Sequence, residues 1–219
     1  MNAVYFKGEW SDEFNKDKTM KKPFYNLNDQ SKVTQVYSMT KTDHFNYFSD
    51  NEIQIIELPY KKDSMSAIII LPKKKININN YISKLNDEKL QQLLKRMSIT
   101  KVDLELPKFE LKFSTSLKNS LKKLGMVQPF DDFSADFSEM RKQKDIYIGE
   151  VFQKTYLKVD EKGTEAVAVT GIEVVTTSIE NEEKIETMII NRPFLFLLRN
   201  KRFPKNYEML FISKIENLN

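Results

Sequence analysis

Apolar residues return at every second position in several stretches of this chain, the spacing of a strand that buries one face. NEIQIIELPY (51–60) and SMSAIIILP (64–72) follow that spacing on either side of the polar KKDS, and together they predict a hairpin. KVDLELPKFELKF (101–113) alternates twice, through Val102, Leu104 and Leu106, then through Phe109, Leu111 and Phe113. Pro107 sits at the phase change, which predicts one long strand with a kink or bulge. NRPFLFLL (191–198) and YEMLFISKI (207–215) read as two buried strands joined by the polar loop RNKRFPKN. Helical spacing occurs twice. Ile82, Leu85, Leu90, Leu93, Leu94 and Met97 predict a helix over 79–97. Leu117, Leu121 and Leu124 predict another over 116–124, with Ser116 as N-cap and Gly125 as its stop. Strands outnumber helices without alternating strictly with them, so the expected class is α+β.

Only five glycines and seven prolines punctuate the 219 residues, and no Gly-, Ser- or Pro-rich linker divides them. One continuous globular unit without repeats is expected. With 40% hydrophobic residues the chain can build a core. The net charge of +4 arises from mixed signs rather than a basic stripe, so no nucleic-acid partner is expected. The longest apolar runs, AIIIL (67–71) and FLFLL (194–198), are too short to span a bilayer, and no membrane partner is expected. The N-terminal residues lack the charged start and apolar middle of a signal peptide.

Candidate chemistry is sparse. The absence of cysteine excludes disulfides, thiolate catalysis and Cys-based zinc sites. The single histidine, His44 in DHFNYF, reads as a partly buried residue beside aromatics. No phosphate-binding glycine loop occurs, and the carboxylate pairs Asp131/Asp132 and Glu182/Glu183 read as solvated turns. No metal, no cofactor and no enzymatic activity are expected.

The stretch EKGTEAVAVTG (161–171) is different. In an extended conformation one face carries Thr164, Ala166, Ala168 and Thr170, all small, and the other carries Glu165, Val167 and Val169. A slot between existing strands demands small residues, because overpacking costs about 1–3 kcal/mol per misfit. Yet Gly163 and Gly171 bracket the segment, and the acidic TTSIENEEKIE (176–186) follows. Two readings stay open: an ordinary strand beside a loop, or a segment that is loop in one state and strand in another.

VDEKGTEAVAVTG (159–171) closely resembles the reactive-loop hinge of the serpins, the serine protease inhibitor family. Other segments are similar to serpin segments in the same order: NAVYFKGEW followed by Phe14 (2–14), MSAIIILP (65–72), LPKFELKFSTSLKNSLKKLGMVQPFDDFSADFS (106–138) and RPFLFLLRN (192–200). The resemblance implies a serpin fold, with large mixed sheets, flanking helices and an exposed reactive loop. It covers only the C-terminal part of the family's domain. The chain is therefore expected to be a partial single domain over 1–219, with hinge and loop at about 161–187 and a missing N-terminal segment as its partner.

That resemblance also implies a function. The loop offers a bond to a serine protease, and the cleaved loop inserts into the central sheet while the protease is still acylated. The alternatives are a non-inhibitory carrier, chaperone or storage serpin, or an inactive fragment. Family spacing places the scissile bond at Thr177–Ser178, facing an elastase-like pocket, with Lys184 as the alternative. Met188 reads as part of the following strand, and the acidic residues of the loop suit a basic protease. Glu161, Gly163, Thr164, Ala166, Ala168 and Thr170 form the hinge. Asn2 falls at the shutter with Gln153 where the family has histidine; Trp10 sits at the breach, and Lys108 pairs there with Glu161. Breaking that pair is expected to favour loop-sheet polymers. The compartment implied is extracellular, with a cytoplasmic one as the alternative.

Overall fold

Long β-branched runs suit strands that are covered on both faces. The two richest runs of this chain pair with each other inside its larger sheet. The computed structural model describes residues 2–26, 33–61, 64–143, 145–164, 184–203 and 209–218, with the backbone alone for Asn2–Tyr5. In chain order the strands are β1 (Asn2–Tyr5), β2 (Gly8–Glu9), β3 (Met20–Tyr25), β4 (Val33–Ser49), β5 (Ile53–Pro59), β6 (Met65–Pro72), β7 (Ser98–Pro107), β8 (Phe109–Ser116), β9 (Phe152–Asp160), β10 (Gly163–Thr164), β11 (Glu186–Ile189), β12 (Phe194–Asn200) and β13 (Met209–Ile215). The helices are α1 (Ile78–Ile82), α2 (Asp87–Arg96) and α3 (Lys118–Lys123).

The chain divides into two compact units, residues 1–7 with 110–158 and residues 8–109 with 159–219. In the first, β1 runs parallel to β9, with Asn2 opposite Gln153 and Tyr5 opposite Tyr156. β8 also pairs with β9. Helix α3 starts at Lys118, two residues later than predicted, with Leu117 in the cap position. Ser116 still receives the Lys118 N–H at 3.3 Å. Gly125 closes the helix with φ +97°, the left-handed conformation expected of a stop residue. Of the acidic pair expected in a solvated turn, Asp132 is exposed and Asp131 is half-buried. The Asp131 Oδ1 accepts the N–H groups of Phe133 and Ser134, and hydrogen bonds from the Ser134 side chain and backbone, with the weaker one from Phe133, hold its carboxyl below the usual range.

The second unit holds a sheet of order β11-β7-β4-β5-β6-β12-β13, with β3 also pairing with β4. The predicted hairpin is present as β5 and β6, antiparallel, with Ile55 opposite Ile70. Alternate residues Ile53, Ile55, Ile68, Ile70, Leu195 and Leu197 pack with Tyr81 of α1 and with Leu90 and Leu93 of α2. Elsewhere in this unit Phe109 meets Phe194 and Phe196 edge to face, and Phe24 meets Phe194 in the same way.

Several expectations are corrected. The helix over 79–97 is two helices, because Asn86 leaves the helical conformation and its side chain accepts the Lys89 N–H, starting α2 afresh. The kinked strand over 101–113 is two strands in different sheets, β7 ending at Pro107 and β8 starting at Phe109. β13 is not a buried strand but a sheet edge, with Leu210 and Ile212 exposed. His44 is exposed on β4 rather than partly buried.

One charged side chain lies inside the larger sheet. Glu57 on β5 is 4% exposed. Its carboxylate accepts from Ser66 Oγ at 2.7 Å and Asn46 Nδ2 at 2.8 Å, and pairs with Lys201 Nζ at 2.7 Å and Arg199 Nη1 at 3.6 Å. Burial pushes its pKa upward, but the bonds from Lys201, Ser66 and Asn46 outweigh burial and hold it below the usual glutamate value.

Candidate functional site: the hinge at Glu161–Thr164

β10 is two residues long and lies between two neighbours. Gly163 and Thr164 face Glu9 and Gly8 of β2 on one side, and Asp160 and Val159 of β9 on the other, antiparallel to both. All of these residues belong to the second unit. In the first unit, β1 and β9 pair directly with nothing between them.

The position of Gly163 admits no side chain. Its φ is +145°, and a Cβ there would lie 2.1 Å from the Gly8 carbonyl oxygen and 2.6 Å from Glu9 Cα. Thr164 is fully buried, and its Oγ1 is 2.8 Å from the Tyr60 hydroxyl. Burial pushes the Tyr60 phenol well above its ordinary pKa, so it stays protonated and able to donate. Tyr60 stacks on Trp10 at 4.6 Å between ring centroids, and Phe14 meets Trp10 edge-on at 6.4 Å.

The turn ahead of β10 is tied down carbonyl by carbonyl. The Trp10 indole N–H donates to Asp160 O at 2.9 Å, Phe14 N–H to Glu161 O at 2.8 Å, and Trp10 N–H to Lys162 O at 2.9 Å. The Glu161 side chain is 6% exposed. It accepts from Lys108 Nζ at 2.9 and 3.0 Å and from Thr19 Oγ1 at 2.9 Å. Burial raises its pKa, but the Lys108 and Thr19 bonds prevail and the net direction is downward. A depressed carboxylate stabilises the fold above its unfolded-state value, and that contribution is lost as pH falls through the folded one.

The structure thus brings together five residues singled out in the sequence, Trp10, Lys108, Glu161, Gly163 and Thr164. Asn2 and Gln153 are register partners in β1 and β9, and Gln153 is half-buried. Lys184 is exposed, ion-pairs with Glu186 and stands two residues ahead of β11. Met188 is buried within β11, which runs parallel to β7. Ala166, Ala168, Thr170, Thr177 and Ser178 lie outside the described residues. Sequence reasoning missed Thr19 and Tyr60, and touched Phe14 only as the last residue of the segment 2–14. Only Tyr60 carried a local signal, as the aromatic residue closing the strand run NEIQIIELPY.

The Tyr60–Thr164 bond gives a direct test. Tyr60→Phe leaves the buried Thr164 hydroxyl without its partner and is expected to cost about 1–2 kcal/mol. A double-mutant cycle with Thr164→Val in urea melts should show strong coupling; strictly additive losses would mean the bond is absent.

The chemistry this site supports is mechanical. Among the described residues no group of three or more His, Asp or Glu is placed to hold a metal. What the site offers is a place in the middle of a sheet, already taken by the first two residues of a segment whose small face begins at Thr164.

The family model described as serpin (serine protease inhibitor) matches residues 1–218. Intracellular coagulation inhibitor 2 of Tachypleus tridentatus is 34% identical over 218 residues, which are 100% of this chain and 52% of the relative. Iripin-5 of Ixodes ricinus is 36% identical, covering 100% of this chain and 54% of the relative. Among solved structures, the thermophilic serpin tengpin in its native state superposes with a TM-score of 0.82 at 30% identity, over 99% of this chain and 54% of that one. Native protease nexin-1 with heparin gives 0.80 at 27% identity, over 98% of this chain and 54% of that one. The chain spans about half the length of the curated relatives it matches.

Proposed function

The chain belongs to the serpin family and has the serpin fold, and from that premise we propose that it acts in the inhibition of a serine protease as a suicide substrate. The observation that carries this reading is β10. Gly163 and Thr164 already hold middle-strand register between β9 and β2, while β1 and β9 pair directly elsewhere. Extending β10 residue by residue would part strands of one sheet and add two hydrogen-bonded edges at each step. The side chains that would face inward after Thr164 are Ala166, Ala168 and Thr170, small enough to enter without strain.

The reactive bond is Thr177–Ser178, with Lys184 as the alternative. Thr177 suits an elastase-like protease with a small primary pocket, and Lys184 a trypsin-like one. At about 3.3 Å per residue the strand from Thr164 to Thr177 reaches roughly 45 Å, long enough to carry an attached protease across a domain. Insertion competes with deacylation, which proteases complete at about 1–1,000 per second. On this reading the whole segment 1–219 works as part of one serpin domain. The likeness to intracellular coagulation inhibitor 2 sets an intracellular compartment beside the extracellular one expected from the family.

The test is incubation with a panel of elastase-like and trypsin-like serine proteases. The expected result is an SDS-resistant adduct of protease and chain, with the released C-terminal peptide starting at Ser178 by mass spectrometry. Release starting at Ile185 would select the Lys184 alternative. Clean cleavage within the loop with no adduct would overturn the inhibitory reading.

A further inference from the structure

A cleft of about 560 Å³ opens in the second unit, away from the hinge, between the loop that follows β6 and the turn that leads into β12. Among its described lining residues are four cations, Lys73, Lys74, Lys75 and Arg192, and no carboxylate. Tyr25 and Ile76 supply apolar surface to the same cleft. Its volume lies within the range of small-molecule sites, about 300–1,000 Å³.

Arg192 gives the cleft its fixed point. Nε donates to Pro72 O at 2.9 Å, and Nη1 makes longer contacts with Asn191 Oδ1 at 3.3 Å and Ile189 O at 3.5 Å. These contacts hold the guanidinium through neutral groups, and both Nη2 hydrogens are left without a partner among the described residues. Burial lowers its pKa, and no acid within ion-pair distance among the described residues offsets that desolvation. Lys73 Nζ turns to Ser49 Oγ at 3.0 Å, while Lys74 and Lys75 are exposed with no ion-pair partner among the described residues. Pinning the end of β6 to the start of β12 explains Nε and Nη1 of Arg192. It does not explain unpaired Nη2 hydrogens beside three consecutive lysines and no acid.

We propose that this cleft binds a small organophosphate, a ring bearing two or more phosphate groups. The Arg192 guanidinium supplies planar donors in a fixed position, and Lys74 and Lys75 supply point charges that follow a second phosphate. Tyr25, 40% exposed, offers its ring to the ligand's own. The site shares no residue with the hinge, so its failure would leave the proposed inhibitory mechanism untouched, and the reverse holds too.

Isothermal titration of the full 219-residue chain tests it, with adenosine diphosphate, inorganic pyrophosphate and sucrose octasulfate as probes. Adenosine diphosphate is expected to bind saturably at one site per chain, and pyrophosphate more weakly because it has no ring. Lys74→Glu with Lys75→Glu changes two exposed side chains and should leave the melting temperature unchanged while weakening adenosine diphosphate at least tenfold. Raising the salt should weaken binding in the parent chain. Three results would each overturn the proposal: no saturable binding of either phosphate probe, undiminished binding by the double variant, or binding of sucrose octasulfate alone, which would mark a general polyanion surface.

Discussion

Gly163→Ala is expected to drive β10 out from between β2 and β9. A Cβ at this position would run into the backbone of residues 8–10: the Gly8 carbonyl oxygen at 2.1 Å, Glu9 Cα at 2.6 Å and Trp10 N at 2.9 Å. None of these is the end of a flexible side chain that can swing aside. The φ of +145° adds strain for any residue with a side chain. Together the clash and the strain should cost about 3–5 kcal/mol, which for a chain of this size lowers the melting temperature by roughly 10 °C. Losing β10 also exposes the buried Thr164 hydroxyl and loosens the turn whose Asp160 carbonyl accepts the Trp10 indole N–H, so indole fluorescence should shift toward that of a solvated ring. Gly149→Ala is the matched control, since a Cβ there meets nothing within 4 Å. If Gly163→Ala melts with the parent chain and keeps its Trp10 emission, the middle-strand position of Gly163 and Thr164 is wrong.

Strands with a clean period of two were legible from residues alone. β5 and β6 read as a hairpin because both are nearly unbroken apolar runs that end in proline and are joined by a polar turn. β4, 17 residues long, was not legible. Its burial phase slips where Ser38 and Met39 are both buried, so no single alternation runs through it, and its partner along most of its length is β7, far off in sequence. The break between α1 and α2 was written in LNDE, an N-cap asparagine followed by two acids, but the leucine spacing on either side concealed it. Alternation shifts phase at Pro107 but resumes at Phe109, which reads as a bulge in one strand, and the change of sheet there depends on partners from other parts of the chain.

The hinge was legible for a different reason. Its small face and its glycine were visible as a pattern, and family resemblance assigned roles to Glu161, Trp10 and Lys108. What no pattern contained was the support around them. Thr19 reaches Glu161 across 142 residues, and Tyr60 reaches Thr164 across 104. Contacts at such separation leave no periodic trace, because neither partner's neighbours need to be of any particular type. The pattern within one short segment is therefore easier to find in the sequence than the distant residues that hold that segment in place.

Glu57→Gln should produce the second large loss, about 3 kcal/mol at neutral pH, or roughly 6–12 °C in melting temperature. Oε1 of Glu57 receives Ser66 and faces Lys201 and Arg199, and Oε2 receives Asn46. An amide must set its NH2 against one of those groups of donors. Asn46 can turn its own amide to accept, but Lys201 and Arg199 cannot, and both would lose the Glu57 negative charge. The loss should depend on pH with a definite sign. Because the Glu57 pKa is depressed in the fold, its contribution is complete above the ordinary glutamate value, near 4.3, and fades as pH falls through the folded-state value. Melting curves of the parent chain and of Glu57→Gln should therefore lie far apart at pH 7 and approach each other below about pH 4. Taking the difference between the two chains removes the titration of Glu161 and Asp43, which are also depressed and common to both. A gap that stayed constant from pH 7 to pH 3 would mean that the carboxylate's shape matters at this position and its charge does not.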